Sequence, residues 1–227
     1  LSGRAAALIC RKWSGTHGRL PDAFVVEGPL AGGHLGFKLD QIDDPRYNLE
    51  SILLDTLAAV KMYEEQGGQK IPVIAAGGIY TGGDIHKYME MGAAAVQMGT
   101  RFVTTVECDV DQAFKQAYLD STAEDIVIIR SPVGLPGRAI RNPYLEELDR
   151  PPVVAPPKVR CRFKCLASCD AERSGYCIAD ALINARNGKL DAGFAFAGAN
   201  AFRTDRIVTT AELIDQLWDR ELCRPRC

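Results

Sequence analysis

Three glycine-rich turns and one histidine hold the residues best suited to chemistry. The apolar run Phe24-Val25-Val26 stops at Glu27-Gly28, and a glycine-dense stretch through Gly32 and Gly33 ends in His34. An imidazole near its ordinary pKa of about 6.5 can take or give a proton at neutral pH. A histidine so placed is either a satisfied side chain inside a turn or a base or donor at an active face. Its position past the C-terminal end of a predicted strand favours the second. Glu27 closes the same strand, where a carboxylate seldom serves a core. It either accepts from a loop N–H or meets the polar edge of a bound cofactor.

The other two turns are Ala76-Gly77-Gly78 and Gln97-Met98-Gly99-Thr100, closing two further apolar runs. They fall about 20 residues apart at successive strand ends, where a phosphate commonly sits in barrel folds. Two such turns can aim several N–H groups at one dianion, and the helix after Gly78 would add its positive end. The alternative is two tight strand–helix turns that bind nothing. Six of the eight cysteines lie from Cys161 onward. Cys161, Cys165 and Cys169 would share one face of a helix, with Cys177 beyond them. Their spacing is neither the Cys-x2-Cys of common zinc sites nor a ferredoxin run. Reduced thiols under a loop, a metal site and disulfides all stay open.

These residues need a scaffold. The pattern predicts helices over 4–13, 49–65 and 84–91, the last with Ile85, Tyr88 and Met89 inward, and strands at 23–27, 71–76 and 93–102. Strands apolar throughout and separated by helices call for a parallel sheet. His17 falls in an exposed loop and His86 off the apolar face of its helix. Beyond residue 103 a helix over 110–119, a strand over 125–130 and a turn-rich loop over 131–138 are expected. Residues 150–158, with four prolines, read as an extended linker. Helices over 178–187 and from a Thr209–Glu212 capping box to about Leu222 follow. The expected domains are 1–105, 106–157 and 158–227.

With 47% hydrophobic and 25% charged residues and a net charge of −2, the chain has the composition of a globular protein. That charge gives no footprint for nucleic acid or an anionic membrane. No apolar run is long enough to cross a bilayer. The start has neither an initiator Met nor a secretory layout, so the chain reads as an internal stretch with a cytoplasmic location.

EGPLAGGHLGF, PVIAAGGIYTGGDI, GAAAVQMGTRF and SPVGLPGRAIRNP, in that order, resemble the nitronate monooxygenase family, which shares its scaffold with FMN-dependent enoyl-ACP reductases. The resemblance implies the C-terminal part of an FMN-binding α/β TIM-type (β/α)8 barrel, about strands 6–8, with a smaller α-rich, cysteine-rich C-terminal region. It implies that roughly the first five strands are not in this chain, and poor FMN affinity for the chain alone. By position, Glu27 matches a flavin contact that is Gln in many relatives. Gly32 and Gly78 match flavin-contacting glycines, with Gly77 beside them. Gln97, Met98, Gly99 and Thr100 match the phosphate-side turn, and His34 the catalytic histidine. The implied chemistry is oxidation of an alkyl nitronate by FMN and O2 to a carbonyl compound and nitrite. The alternatives are an FMN- and NAD(P)H-dependent enoyl-thioester reductase and, in another class, a metal-binding or interaction module in the cysteine-rich segment. The expected partner is a small molecule, a nitronate, nitroalkane or enoyl thioester; a homo-oligomer remains open.

Overall fold

The computed structural model describes residues 2–150, 159, 161–165, 169–170 and 174–218. In chain order the elements are α1 (Gly3–His17), β1 (Phe24–Glu27), β2 (Gly33–His34), α2 (Leu49–Gly67), β3 (Val73–Ala76), α3 (Gly82–Glu90) and β4 (Ala95–Gln97). They continue with α4 (Thr100–Val103), α5 (Gln112–Asp120), β5 (Ile126–Arg130), β6 (Pro136–Ile140), α6 (Pro143–Asp149), α7 (Ile178–Arg186) and α8 (Thr210–Leu217). The chain divides into two compact units: Leu1–Ala31 with Leu39–Gly99 and Ala211–Cys227, and Gly32–Lys38 with Thr100–Thr210. The short segment carrying His34 therefore belongs with residues beyond Thr100, not with the strand that precedes it.

The first unit holds a parallel sheet in the order β1-β3-β4. Phe24, Val26, Val73 and Ala75 are buried, whereas Val25 is 43% exposed and Glu27 half-buried. Strand alternation thus turns one face to the core and leaves Val25 and Glu27 on the other. Helix α2 is started by Asn48, whose side chain accepts from the Ser51 N–H at 2.8 Å, and stopped by Gly68 in the left-handed region. It buries Ile52, Leu53 and Val60, each worth about 1.5–3 kcal/mol when withdrawn fully from water. Helix α1 packs along it, and the Gly3 N–H donates to Asp55 at 2.7 Å.

The second unit holds an antiparallel sheet in the order β2-β6-β5. One core joins Tyr118, Ile140, Ala195, Ala197 and Ala201, and another Ala139, Leu145, Ile178, Ala181 and Phe194. Asn142 ties the unit together. Its Oδ1 accepts from the Leu145 N–H at 3.0 Å to start α6, and its Nδ2 donates to the carbonyls of Leu190 (2.9 Å) and Gly193 (2.7 Å).

Several expectations are corrected. Helix α1 runs on through the expected loop to His17, because the chain is halted only at Gly18, whose N–H returns to the Ser14 carbonyl. Strand β4 stops at Gln97, and Arg101 and Phe102 are helical. Met89 is exposed; Tyr88 faces inward, with Glu50 accepting from its hydroxyl at 3.1 Å. Pro136, Gly137 and Arg138 are strand, not loop, and His34 lies in a strand, not a turn. Residues 161–165 and 169–170 are not helical, so no shared helical face aligns Cys161, Cys165 and Cys169. The proline linker lies almost wholly outside the described residues, as do Cys223 and Cys227.

Candidate active site

The three parallel strands of the first unit end level. Glu27 pairs with Ala76, and Ala76 with Gln97. In a parallel ladder such neighbours share a face, so the Glu27 carboxyl and the Gln97 amide flank Ala76 on the side away from the buried core. Burial pushes the Glu27 carboxyl above the ordinary range. The Gly28 N–H continues the ladder to the Ala76 carbonyl at 2.9 Å, leading into the loop 28–31.

The glycines of this edge do not all answer to the same cause. Gly77 and Gly78 have φ of +90° and +85°, a region that L side chains rarely enter. A Cβ on Gly78 would also lie 2.7 Å from that of Leu30. Turn geometry accounts for both, with the Gly28 carbonyl 2.9 Å from a Cβ on Gly77 and Leu30 close to one on Gly78. Gly99 is different: a Cβ there would meet nothing within 4 Å. The space on that side of the Gly99 backbone is therefore open, with room for a bound group.

The helix end expected to help with a phosphate carries its own capping box. Thr81 caps α3 by accepting from the Asp84 N–H at 3.1 Å, and Asp84 accepts from the N–H groups of Tyr80 and Thr81 at 3.0 and 2.8 Å. This capping box takes up the N–H groups of Tyr80, Thr81 and Asp84 and sets a carboxylate at the helix end, which opposes a dianion there.

The second unit builds the surroundings of His34. Strand β2 pairs with β6, setting His34 opposite Gly137 and Gly33 opposite Arg138. Nε2 of His34 lies 2.7 Å from Oγ of Ser131. Ser131 is 7% exposed and held at both ends of its backbone: its N–H donates to the Leu135 carbonyl at 3.1 Å, and its carbonyl accepts from Gly134 at 3.0 Å. The Phe196 ring meets the imidazole edge-on, 5.1 Å between centroids. Burial holds the His34 pKa below its ordinary value, so the ring is neutral at neutral pH and able to accept a proton. The remaining two predicted residues lie nearby in sequence or space within this unit. Thr100 Oγ1 accepts from the Gly198 N–H at 3.0 Å, and a Cβ on Gly32 would fall 2.5 Å from the Ala197 carbonyl carbon. Close approach of residues 197–198 explains glycine at 32 without a ligand.

Glu27, Gly77, Gly78, Gln97, Met98 and Gly99 thus gather in the first unit, and Gly32, His34 and Thr100 in the second. Sequence reasoning missed Ser131 and Phe196 as partners of His34. The sole signal for Ser131 was its place in the Gly- and Pro-rich motif at 131–138. His17 is exposed at the end of α1, and His86 pairs with Glu90 at 3.4 Å on α3. Cys161 and Cys165 are exposed free thiols, Cys169 and Cys177 half-buried ones. Among the described residues, no three His, Cys, Asp or Glu side chains gather as metal ligands would.

The first unit holds a parallel sheet with glycine turns at its level strand ends, and the second a half-buried histidine held by serine; the chain is an α/β protein with a candidate proton-transfer centre. The comparisons with known proteins give the family. The model of the family described as Nitronate monooxygenase matches residues 2–220, and the chain belongs to this family of oxidoreductases. It is 34% identical over 129 residues to a probable nitronate monooxygenase of Staphylococcus aureus (strain Newman), a match covering 57% of this chain and 34% of that protein. It is 33% identical over 128 residues to a Mycobacterium tuberculosis protein, (3aS,4S,5R,7aS)-5-hydroxy-7a-methyl-1-oxo-octahydro-1H-indene-4-carboxyl-CoA dehydrogenase, covering 56% and 32%. The matched stretch is about a third of each curated relative. Among solved structures, FabK from Thermotoga maritima aligns with a TM-score of 0.67 and 26% identity, over 95% of this chain and 57% of that one. No helix among the described residues is long and apolar enough to cross a membrane.

Proposed function

We propose that this chain serves an FMN-dependent oxidoreductase that oxidises alkyl nitronates with O2 to a carbonyl compound and nitrite. The observation that carries the reading is the neutral, half-buried His34 bonded through Nε2 to Ser131, in a chain matched by the family almost throughout. The three parallel strands would be the sixth to eighth of a (β/α)8 barrel, consistent with the FabK likeness. At the strand ends, the Glu27 carboxyl and Gln97 amide would meet the polar edge of the flavin. The open space at Gly99 would admit the phosphate side, with Met98 and Thr100 beside it. Bound there, FMN would supply the redox chemistry.

The residues of the chain supply position and proton control. Neutral His34 takes the α-proton of a nitroalkane, converting it to the nitronate; once protonated, the ring holds that anion by charge and hydrogen bond. Ser131 keeps the imidazole oriented, and its hydroxyl suits either tautomer: O–H donates to a bare Nε2, or Oγ accepts from Nε2–H. Proton transfer by a positioned group of this kind is worth about 10²–10⁴-fold.

A second reading rests on the likeness to FabK and on the thioester in the M. tuberculosis relative's name: an FMN- and NAD(P)H-dependent reductase of enoyl thioesters. Parallel assays separate them. Purified protein supplied with FMN is given propyl-2-nitronate and O2, with nitrite measured, and separately NADH and a crotonyl thioester, with NADH consumption measured. Nitrite release supports the first reading. Thioester-dependent NADH consumption without nitrite replaces it with the second.

A further inference from the structure

Phe196 is half-buried and held in place through its backbone. Its carbonyl accepts from the Tyr118 hydroxyl at 2.6 Å, and Tyr118 is itself 2% exposed. The backbone on either side is laced to β6: the Ile140 N–H donates to the Ala195 carbonyl at 3.0 Å, and the Ala197 N–H to that of Arg138 at 3.1 Å. The ring lies where β6 and β2 carry no side chains. A Cβ on Gly137 would be 2.9 Å from the Phe196 ring, and one on Gly33 3.9 Å from it. On one side the ring meets His34 edge-on at 5.1 Å, and on another it meets Phe194 at 5.2 Å and 86°.

We propose that Phe196 is a positioning residue for His34: its anchored ring holds the imidazole against Ser131 and keeps water from the imidazole's buried side. The proposal rests on reading His34 as the base. A hydrogen bond to Ser131 restrains one atom of the imidazole, while its broad χ2 torsion still lets the ring plane tilt. The ring of Phe196 limits that tilt and replaces water with a low-dielectric edge contact, worth about 0.5–1.5 kcal/mol in aromatic pairs generally. Formal charges do not compete for the role. Along β6 Arg138 alternates with Gly137, and Arg130 of β5 stands opposite Pro136, so both turn to the sheet face opposite Gly137. Lys38, beyond β2, is exposed, and residues 194–197 carry no ionisable side chain. Burial, which depresses the basicity of His34, is thus the environment Phe196 controls.

The test follows the His34 ring directly by NMR titration of histidine-labelled protein, in wild type, Phe196→Leu, Phe196→Ala and Tyr118→Phe. Leu keeps an apolar filler without the ring edge, and Tyr118→Phe loosens the anchor while leaving the ring, so a misfolded Ala variant leaves two informative arms. The titration midpoint of His34 should rise toward about 6.5 in Phe196→Leu and further in Phe196→Ala. In the nitrite assay the ratio of kcat/KM near pH 6 to that near pH 8 should fall in step, by at most about fourfold, because a base with a midpoint of about 6.5 is still about a quarter deprotonated at pH 6. Folded variants whose His34 titrates as in wild type overturn the proposal. A shifted His34 in a protein that releases no nitrite leaves the positioning role standing and removes the proposed reaction instead.

Discussion

Replacing Ser131 by Ala removes one oxygen from the surroundings of His34 and little else. The hydroxyl lies 2.7 Å from Nε2, with the Val133 N–H pointing at it from 3.4 Å, beyond good hydrogen-bond range. Its loss leaves Nε2 without its partner in a half-buried setting. A typical hydrogen bond contributes about 0.5–1.5 kcal/mol, and leaving a buried polar group unsatisfied costs about 1–3 kcal/mol. If the bond matters equally in ground and transition states, the loss falls on stability alone. If it orients the base, about 1–3 kcal/mol should appear in the barrier, which is about 5- to 150-fold in kcat/KM. The assay is nitrite release from a neutral nitroalkane, read beside a thermal melt of the same sample. Substrate already supplied as nitronate should be affected less, because no proton need be removed. Unchanged kcat/KM on the nitroalkane in folded Ser131→Ala would refute the reasoning that this hydroxyl aims the base.

Other outcomes test separate parts of the account. Gly99→Ala should leave the melting temperature unchanged, since its Cβ meets no atom within 4 Å, yet weaken FMN binding measured by fluorescence titration. Gly78→Ala should destabilise by about 2–4 kcal/mol in urea unfolding, from φ of +85° and the overlap with Leu30. Asn142→Ala loses the α6 cap and two bonds to carbonyls, and the same unfolding measurement should show about 2–4 kcal/mol. Because the folded His34 pKa lies below 6.5, its contribution to stability is complete above that pH and lost as pH falls through the folded value. Glu27 runs the other way. Its pKa is raised above 4.5, so its contribution is complete below that and lost as pH rises through the folded value. Glu27→Gln should therefore melt higher than wild type near neutral pH.

The parallel sheet was legible because its strands are continuous apolar runs, and because Gly28, Gly77 and Gly99 punctuate them. The antiparallel sheet was not. Strand β2 is two residues long and one is glycine, while β6 begins Pro136-Gly137, a pair that signals a turn wherever local propensity decides. Here pairing with β5 and the room needed by Phe196 decide instead. His34 could be singled out by its neighbours in sequence, but its partner Ser131 stands far along the chain with no periodicity to link them. Helix α6 carried both of its signals, Asn142 as cap and Pro143 at the first turn, yet its short length hid it among loop residues. Motif spacing pointed to helix α3 as a phosphate aid; the Thr81–Asp84 capping box that fills its end was present in the sequence and went unused.

The central claim is that His34 removes a proton from a nitroalkane whose nitronate is then oxidised. Nitrite release by wild type and His34→Asn, each supplied with FMN and O2, should be compared on a neutral nitroalkane and on the preformed nitronate. The account predicts release from both substrates by wild type. In His34→Asn it predicts a loss of about 10²-fold or more on the nitroalkane, with a distinctly smaller loss on the nitronate. Equal activity of wild type and His34→Asn on the neutral nitroalkane, or no nitrite from wild type on either substrate, would contradict it.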